Sequence, residues 1–179
     1  MNRFVLTGAP GAGKTAIIRQ LELDDFSVVE EAATDVIALA QAQGIPEPWT
    51  HASFIDSIAA LQKQRQIRAA DETVIQFHDR SVVCTAALAD YLGHPRSGAL
   101  VRELKRIETE AIFAKRVFFI QNLGFIAPSD ARRISFEDAL RFERLHEETY
   151  RSLGFEIVPV APARLPDRVD AIKRCVGSV

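Results

Sequence analysis

Eight consecutive residues, Gly8-Ala9-Pro10-Gly11-Ala12-Gly13-Lys14-Thr15, constrain this chain more than any other feature. They match G-x-x-x-x-G-K-[ST] in full, with an apolar strand-like run before them and an apolar-striped helix after them. The glycines let backbone N–H groups curl inward around phosphate oxygens, which a Cβ would obstruct. The positive end of the following helix adds to the attraction. In such a loop the lysine, Lys14, neutralises β- and γ-phosphates and the threonine, Thr15, ligates Mg²⁺. ATP and Mg²⁺ are therefore the expected cofactors. The expected nucleotide-binding residues are Gly8, Ala9, Pro10, Gly11, Ala12, Gly13, Lys14 and Thr15, with Ala16 in the first helical turn.

The rest of the chain supplies the frame for that loop. Short runs rich in β-branched or aromatic residues predict strands at 3–7, 27–30, 73–79, 116–121 and 155–160. They are apolar on both faces, as strands buried between two helical layers are. Helices are expected from Lys14 to Leu21 and over about 34–43, 52–70, 82–92, 99–114 and 167–176, with another after the cap-like Ser135-Phe136-Glu137-Asp138. Its apolar stripe runs Ala139, Phe142, Leu145, Thr149, Leu153. Strand–helix alternation of this kind predicts an α/β fold, a parallel sheet with helices on both faces. With 179 residues, 47% hydrophobic, the chain fits one domain with a sizeable core.

Composition excludes other classes. A net charge of -2 argues against a broad nucleic-acid surface. Two cysteines, Cys84 and Cys175, make no disulfide framework, and a reducing, cytoplasmic setting is the expectation. The apolar start after Arg3 is too short for an export signal, and Val117-Phe118-Phe119-Ile120 is too short to cross a membrane.

In an open parallel sheet, ligands bind outside the carboxyl ends of the strands. The second predicted strand ends in Glu30-Glu31 and the third in His78-Asp79-Arg80-Ser81. The fourth leads through Gln121-Asn122 into Pro128-Ser129-Asp130-Ala131-Arg132-Arg133. Asp79 is placed to hold the Mg²⁺ shell or to accept a proton from an attacking hydroxyl. The bland alternative is a cap on the next helix, a duty Ser81 can perform. Glu30 and Glu31 are neighbours, so their side chains face opposite ways and one of them is the candidate. The segment 122–135 reads as a lid, with Arg132 and Arg133 as candidate clamps on the transferring phosphoryl and Asp130 as a competing salt-bridge partner. The four histidines show no metal-ligand spacing. Cys84 reads as core, Cys175 as inert, and the polar run 62–68 as a solvated helix face rather than a nucleic-acid surface. Trp49 either stacks on a substrate ring or fills a gap beneath its loop.

The sequence resembles the P-loop small-molecule kinases of the nucleoside and nucleotide kinase branch. Within it, the chain is similar to ATP-binding proteins labelled AAA domain that stand near the kinase domain of nicotinamide riboside kinases. The matching pieces are Gly8–Thr15, Glu30-Glu31, the Phe54, Ile58, Gln62 helix, Asp79-Arg80-Ser81, the Asp130 to Arg133 stretch and Tyr150-Arg151-Ser152-Leu153-Gly154-Phe155. The resemblance implies a three-layer P-loop NTPase sandwich with a five-stranded parallel sheet in the order 2-3-1-4-5. It implies that Asp79 and Arg80 match the Asp/Glu-Arg-Ser element, where the acid handles Mg²⁺ or a proton and the arginine contacts phosphates or its acidic partner. Glu30 or Glu31 then stands near the acceptor hydroxyl. The expected function is transfer of phosphoryl from ATP to a small hydroxyl-bearing metabolite, a nucleoside or nucleotide among the candidates. An NTPase switch and a nucleotide-binding regulatory protein without turnover are the alternatives.

Overall fold

A computed structural model of the chain describes residues 2–8, 10–69, 75–122 and 136–177. Five strands form one sheet: β1 (Asn2–Thr7), β2 (Ser27–Val29), β3 (Ile75–Asp79), β4 (Arg116–Ile120) and β5 (Glu156–Val160). All pairings are parallel, in the order β2-β3-β1-β4-β5. The sheet type and the order are those expected. β2 stops at Val29 and leaves Glu30 outside the ladder, because Glu30 and Glu31 are drawn to side-chain partners of their own.

Helices α1 (Lys14–Leu23) and α7 (Leu165–Val176) cover one face. There Phe4, Leu6, Phe77, Phe118 and Ile120 meet Ile17, Ile18 and Leu21 of α1 and Val169, Ile172 and Val176 of α7. The other face is covered by α3 (Ser53–Arg68), α4 (Val82–Leu92), α5 (Gly98–Thr109) and α6 (Phe136–Ser152). Val5 and Val117 point into that second layer, which shows why the strands read as apolar on both faces. The remaining helix, α2 (Ala33–Ala42), packs partly buried side chains against it, and so does Trp49 in the short 3-10 turn Pro48–Thr50. Trp49 therefore fills a gap; its carbonyl accepts from His94 Nε2 at 2.8 Å.

Local chemistry sets the helix ends beside the strand edge. Ser81 caps α4, its Oγ accepting from the Val83 N–H at 3.2 Å, and Gly93 closes the helix at φ 72°. Seven residues of α4 are buried, so it runs through the interior as an apolar rod. Ser97 caps α5 through the Leu100 N–H at 3.1 Å. With Ser81 as the cap, the Asp79 side chain has no such duty.

Candidate functional site

The loop after β1 approaches the end of β4 so closely that a Cβ on Gly8 would fall on the Ile120 carbonyl oxygen; Gly8 also sits at φ +130°, where other residues are strained. Gly13 turns into α1 at φ 86°, with Arg168 of α7 against its back. Lys14 is buried and its Nζ donates to the Gly8 carbonyl at 3.0 Å, across the loop. Burial, then the positive charge of Arg80, bring Lys14 down to about 7, although Asp79 and Glu31 pull the other way. Thr15 and Ala16 are exposed in the first turn of α1, Pro10 and Gly11 are half-buried, and Ala12 is buried. Ala9 lies outside the described residues, as do Asp130, Arg132 and Arg133 and almost all of the predicted lid.

Asp79 ends β3 beside Leu6 of β1 and is 7% exposed. Its Oδ1 is buried with no hydrogen-bond partner. Burial raises its carboxyl above the usual range; Lys14 opposes the rise and Glu31 adds to it. A buried, orphaned carboxylate oxygen is rare and marks a place for a proton or a cation.

Arg80 adopts φ 69°, a left-handed conformation that costs a non-glycine residue about 1–3 kcal/mol. Three contacts hold it there. Its N–H donates to the Leu6 carbonyl at 3.0 Å, Nε pairs with Glu31 Oε1 at 2.8 Å, and Nη1 lies 3.1 Å from His146 Nε2. A guanidinium only donates, so His146 Nε2 accepts and its Nδ1 carries the proton, given to the Phe142 carbonyl at 2.8 Å. Burial, reinforced by Arg80, holds the His146 pKa well below its usual value, consistent with this neutral form.

The two glutamates part company. Glu31 joins Arg80, with its other oxygen accepting from Thr34 Oγ1 at 2.9 Å; burial opposes its charge, but Arg80 and Lys14 outweigh burial and hold its carboxyl below the ordinary range. Glu30 is exposed and pairs with Arg19 of α1 instead. Arg65 of α3 fixes this bend, donating to the Glu30 and Glu31 carbonyls and pairing with Asp35. Lys14, Glu31, Asp79 and Arg80 thus lie within electrostatic reach of one another.

Behind Arg80 lies a cavity of about 20 Å³, room for roughly one water, lined by Gln62, Gln66, His78, Glu103 and Arg106 among others. Arg106 joins Glu103 at 2.7 Å and Gln66 at 2.7 Å, Lys63 joins Glu103 at 3.1 Å, and Thr85 donates to Gln62 at 2.7 Å. The run 62–68 is accordingly not simply a solvated face: Gln66 is buried, and Gln62 and Arg65 tie α3 to α4 and to the Glu30-Glu31 bend. Their signal was present, because Gln62, Arg65 and Gln66 continue the spacing of Phe54 and Ile58 on the inward face. His146 likewise falls one turn after Phe142 and one before Tyr150 in the α6 stripe. Cys84 is buried as expected, between Thr7 Oγ1 at 3.3 Å and the Tyr150 hydroxyl at 3.2 Å. Among the described residues no three His, Cys, Asp or Glu side chains are grouped to hold a resident metal, and no helix is long and apolar enough to cross a membrane.

A family model described as an AAA domain matches residues 3–168. No curated protein matches significantly. Among solved structures, the deoxyadenosine kinase of M. mycoides, solved with dCMP and dCDP, superposes with a TM-score of 0.64 at 11% identity, covering 99% of this chain and 100% of that one. The NadR protein solved with NAD and AMP-PNP superposes with a TM-score of 0.71 at 16% identity, over 98% of this chain. This chain spans 49% of that NadR chain, about half its length. The chain belongs to the AAA domain family, on the fold of the P-loop nucleoside-kinase-like proteins.

Proposed function

We propose that this chain is an ATP- and Mg²⁺-dependent phosphotransferase that phosphorylates a hydroxyl of a small metabolite of the nucleoside or nucleotide class. The observation that carries the reading is the Glu31–Arg80 pair beside Lys14 and Asp79. A bare nucleotide switch needs the loop and a metal-side carboxylate; a second carboxylate, set by an arginine at the neighbouring strand end, is what a hydroxyl acceptor requires. The deoxyadenosine kinase likeness, over the full length of both chains, supports the acceptor class.

In this reading Lys14 and the loop amides stabilise charge on the moving phosphoryl. The Thr15 hydroxyl and the orphaned Asp79 oxygen would hold Mg²⁺, which neutralises the phosphates when bound. The acceptor oxygen bonds to the γ-phosphorus as the bond from that phosphorus to the β–γ bridging oxygen breaks, and ADP leaves. Glu31 receives the hydroxyl proton. A weak base suffices, since a loose transition state keeps that proton in place until late. Arg80 orients Glu31, and Arg132 or Arg133 acts on the transferring group from the lid.

The test is ADP release from Mg·ATP across a panel of nucleosides and nucleotides, with mass spectrometry of the phosphorylated product. Acceptor-dependent release is expected, falling about 10²–10³-fold in Lys14→Ala with an unchanged circular dichroism spectrum. ATP hydrolysis indifferent to every acceptor would overturn the kinase reading in favour of an NTPase.

A further inference from the structure

Arg168 lies in the apolar stripe of α7, between Leu165 and Ile172, and is 4% exposed. Its Nη1 donates to the Ala12 carbonyl at 2.8 Å and its Nη2 to the Gln121 carbonyl at 3.0 Å. Its Nε is buried without a partner, and no carboxylate pairs with it among the described residues. Two other arginines set in the interior are compensated, Arg80 by Glu31 and Arg106 by Glu103, whereas Arg3, half-buried at the start of β1, also has an Nε buried without a partner. A buried guanidinium with no counter-ion is expensive to keep. Burial lowers its pKa.

The peptide from Ala12 to Gly13 explains what that charge does. The described peptide bonds are all trans, so the Ala12 carbonyl and the Gly13 N–H point in opposite directions. With the carbonyl held by Arg168 on the α7 side, the Gly13 N–H is directed to the other side of the loop. No hydrogen bond takes that N–H among the described residues. A cation on the carbonyl end polarises the group and strengthens its N–H as a donor.

We propose that Arg168 is a positioning residue for the triphosphate, aiming and polarising the Ala12–Gly13 peptide from behind, and that the bound phosphate brings the negative charge that no described side chain places beside the guanidinium. The proposal rests on the reading of the loop as a triphosphate site. It gives α7 a role that the strand-edge residues do not share, because the guanidinium acts on phosphate only through the backbone.

Three variants separate charge from hydrogen bonding: Arg168→Gln keeps a donor without charge, Arg168→Lys keeps charge without the fork, and Arg168→Met removes both. Calorimetric titration with Mg·ATP and with sodium tripolyphosphate is run at several salt concentrations, alongside urea unfolding without ligand. For Arg168→Gln a loss of about tenfold or more in both affinities is expected, with a shallower salt dependence. Arg168→Lys should restore the salt dependence, and urea stability should not track the affinity loss. A merely structural role would lower stability and leave the salt dependence alone. Wild-type affinity and salt dependence in Arg168→Gln would overturn the proposal while the loop reading stands. Failure of the wild type to bind either probe would overturn both.

Discussion

The two faces of the sheet solve different problems with the same strands. Under α1 and α7 the sheet presents Phe4, Phe77 and Phe118, with Phe26 joining them and ring centroids 5.4–6.4 Å apart. Arg168 is the charged exception among the buried side chains of α7. Under α3 to α6 the interior carries Gln66, Gln76, His78, Glu103, His146 and Tyr150, joined by hydrogen bonds. The first arrangement gives a rigid wall behind the phosphate loop, because close-packed rings leave little room to shift. The second fixes charged side chains by many directional contacts, which suits a pocket that must recognise a polar molecule. The difference teaches that one sheet can carry a close-packed aromatic core on one side and a hydrogen-bonded polar interior on the other.

The contrast is broken most forcefully on the aromatic wall. Phe118→Ala removes a ring that is fully buried against Phe4 and Phe77 and is expected to cost about 3–5 kcal/mol in urea unfolding. A cost below about 1 kcal/mol would mean that this wall is not the anchor.

The polar side should instead respond to acid. His78 donates from Nε2 to Gln76 Oε1 at 2.8 Å and sits edge-on to Phe113; burial, with Arg3 in second place, brings its pKa to about 3. Between pH 6.5 and 3 the unfolded chain therefore binds a proton that the folded one refuses. Stability is present above pH 6.5 and declines as pH falls, by about 1.4 kcal/mol per pH unit for this residue. From pH 6.5 to 5 that is about 2 kcal/mol, with His146 adding to it in the same direction. Urea unfolding over that interval should show the slope, and His78→Asn should reduce it. Equal slopes in variant and wild type would show that His78 does not carry the effect.

The smallest effect sharpens the comparison at one helix end. Ser97 caps α5 and also donates to Asp56 of α3, so Ser97→Ala should cost about 1 kcal/mol, read as a lower urea midpoint at unchanged slope. A changed slope would point to a looser native state, not a lost cap.

Much of this was legible from residue patterns alone. The phosphate loop, the five parallel strands and the placement of Asp79 at a strand end follow from periodicity and a motif. The expected order of the strands came from the family resemblance and is the order found. The pairing of Glu31 with Arg80 was not legible, because it depends on a left-handed residue at a position that is not glycine. Arg168 and His146 were missed for another reason. Each is a polar side chain inside an apolar helical stripe, and the partner that makes sense of it, Ala12 or Arg80, comes from a remote part of the chain. A polar residue interrupting such a stripe was the available sign.

Gly8 carries a consequence for how this sequence can change over time. Any single-base change in its codon that alters the residue adds a Cβ where the Ile120 carbonyl oxygen already stands. No gradual route leads away from glycine there, because even the smallest replacement opens the seam between β1 and β4. The spacing of those two strands at that end is thus inherited as an all-or-nothing trait.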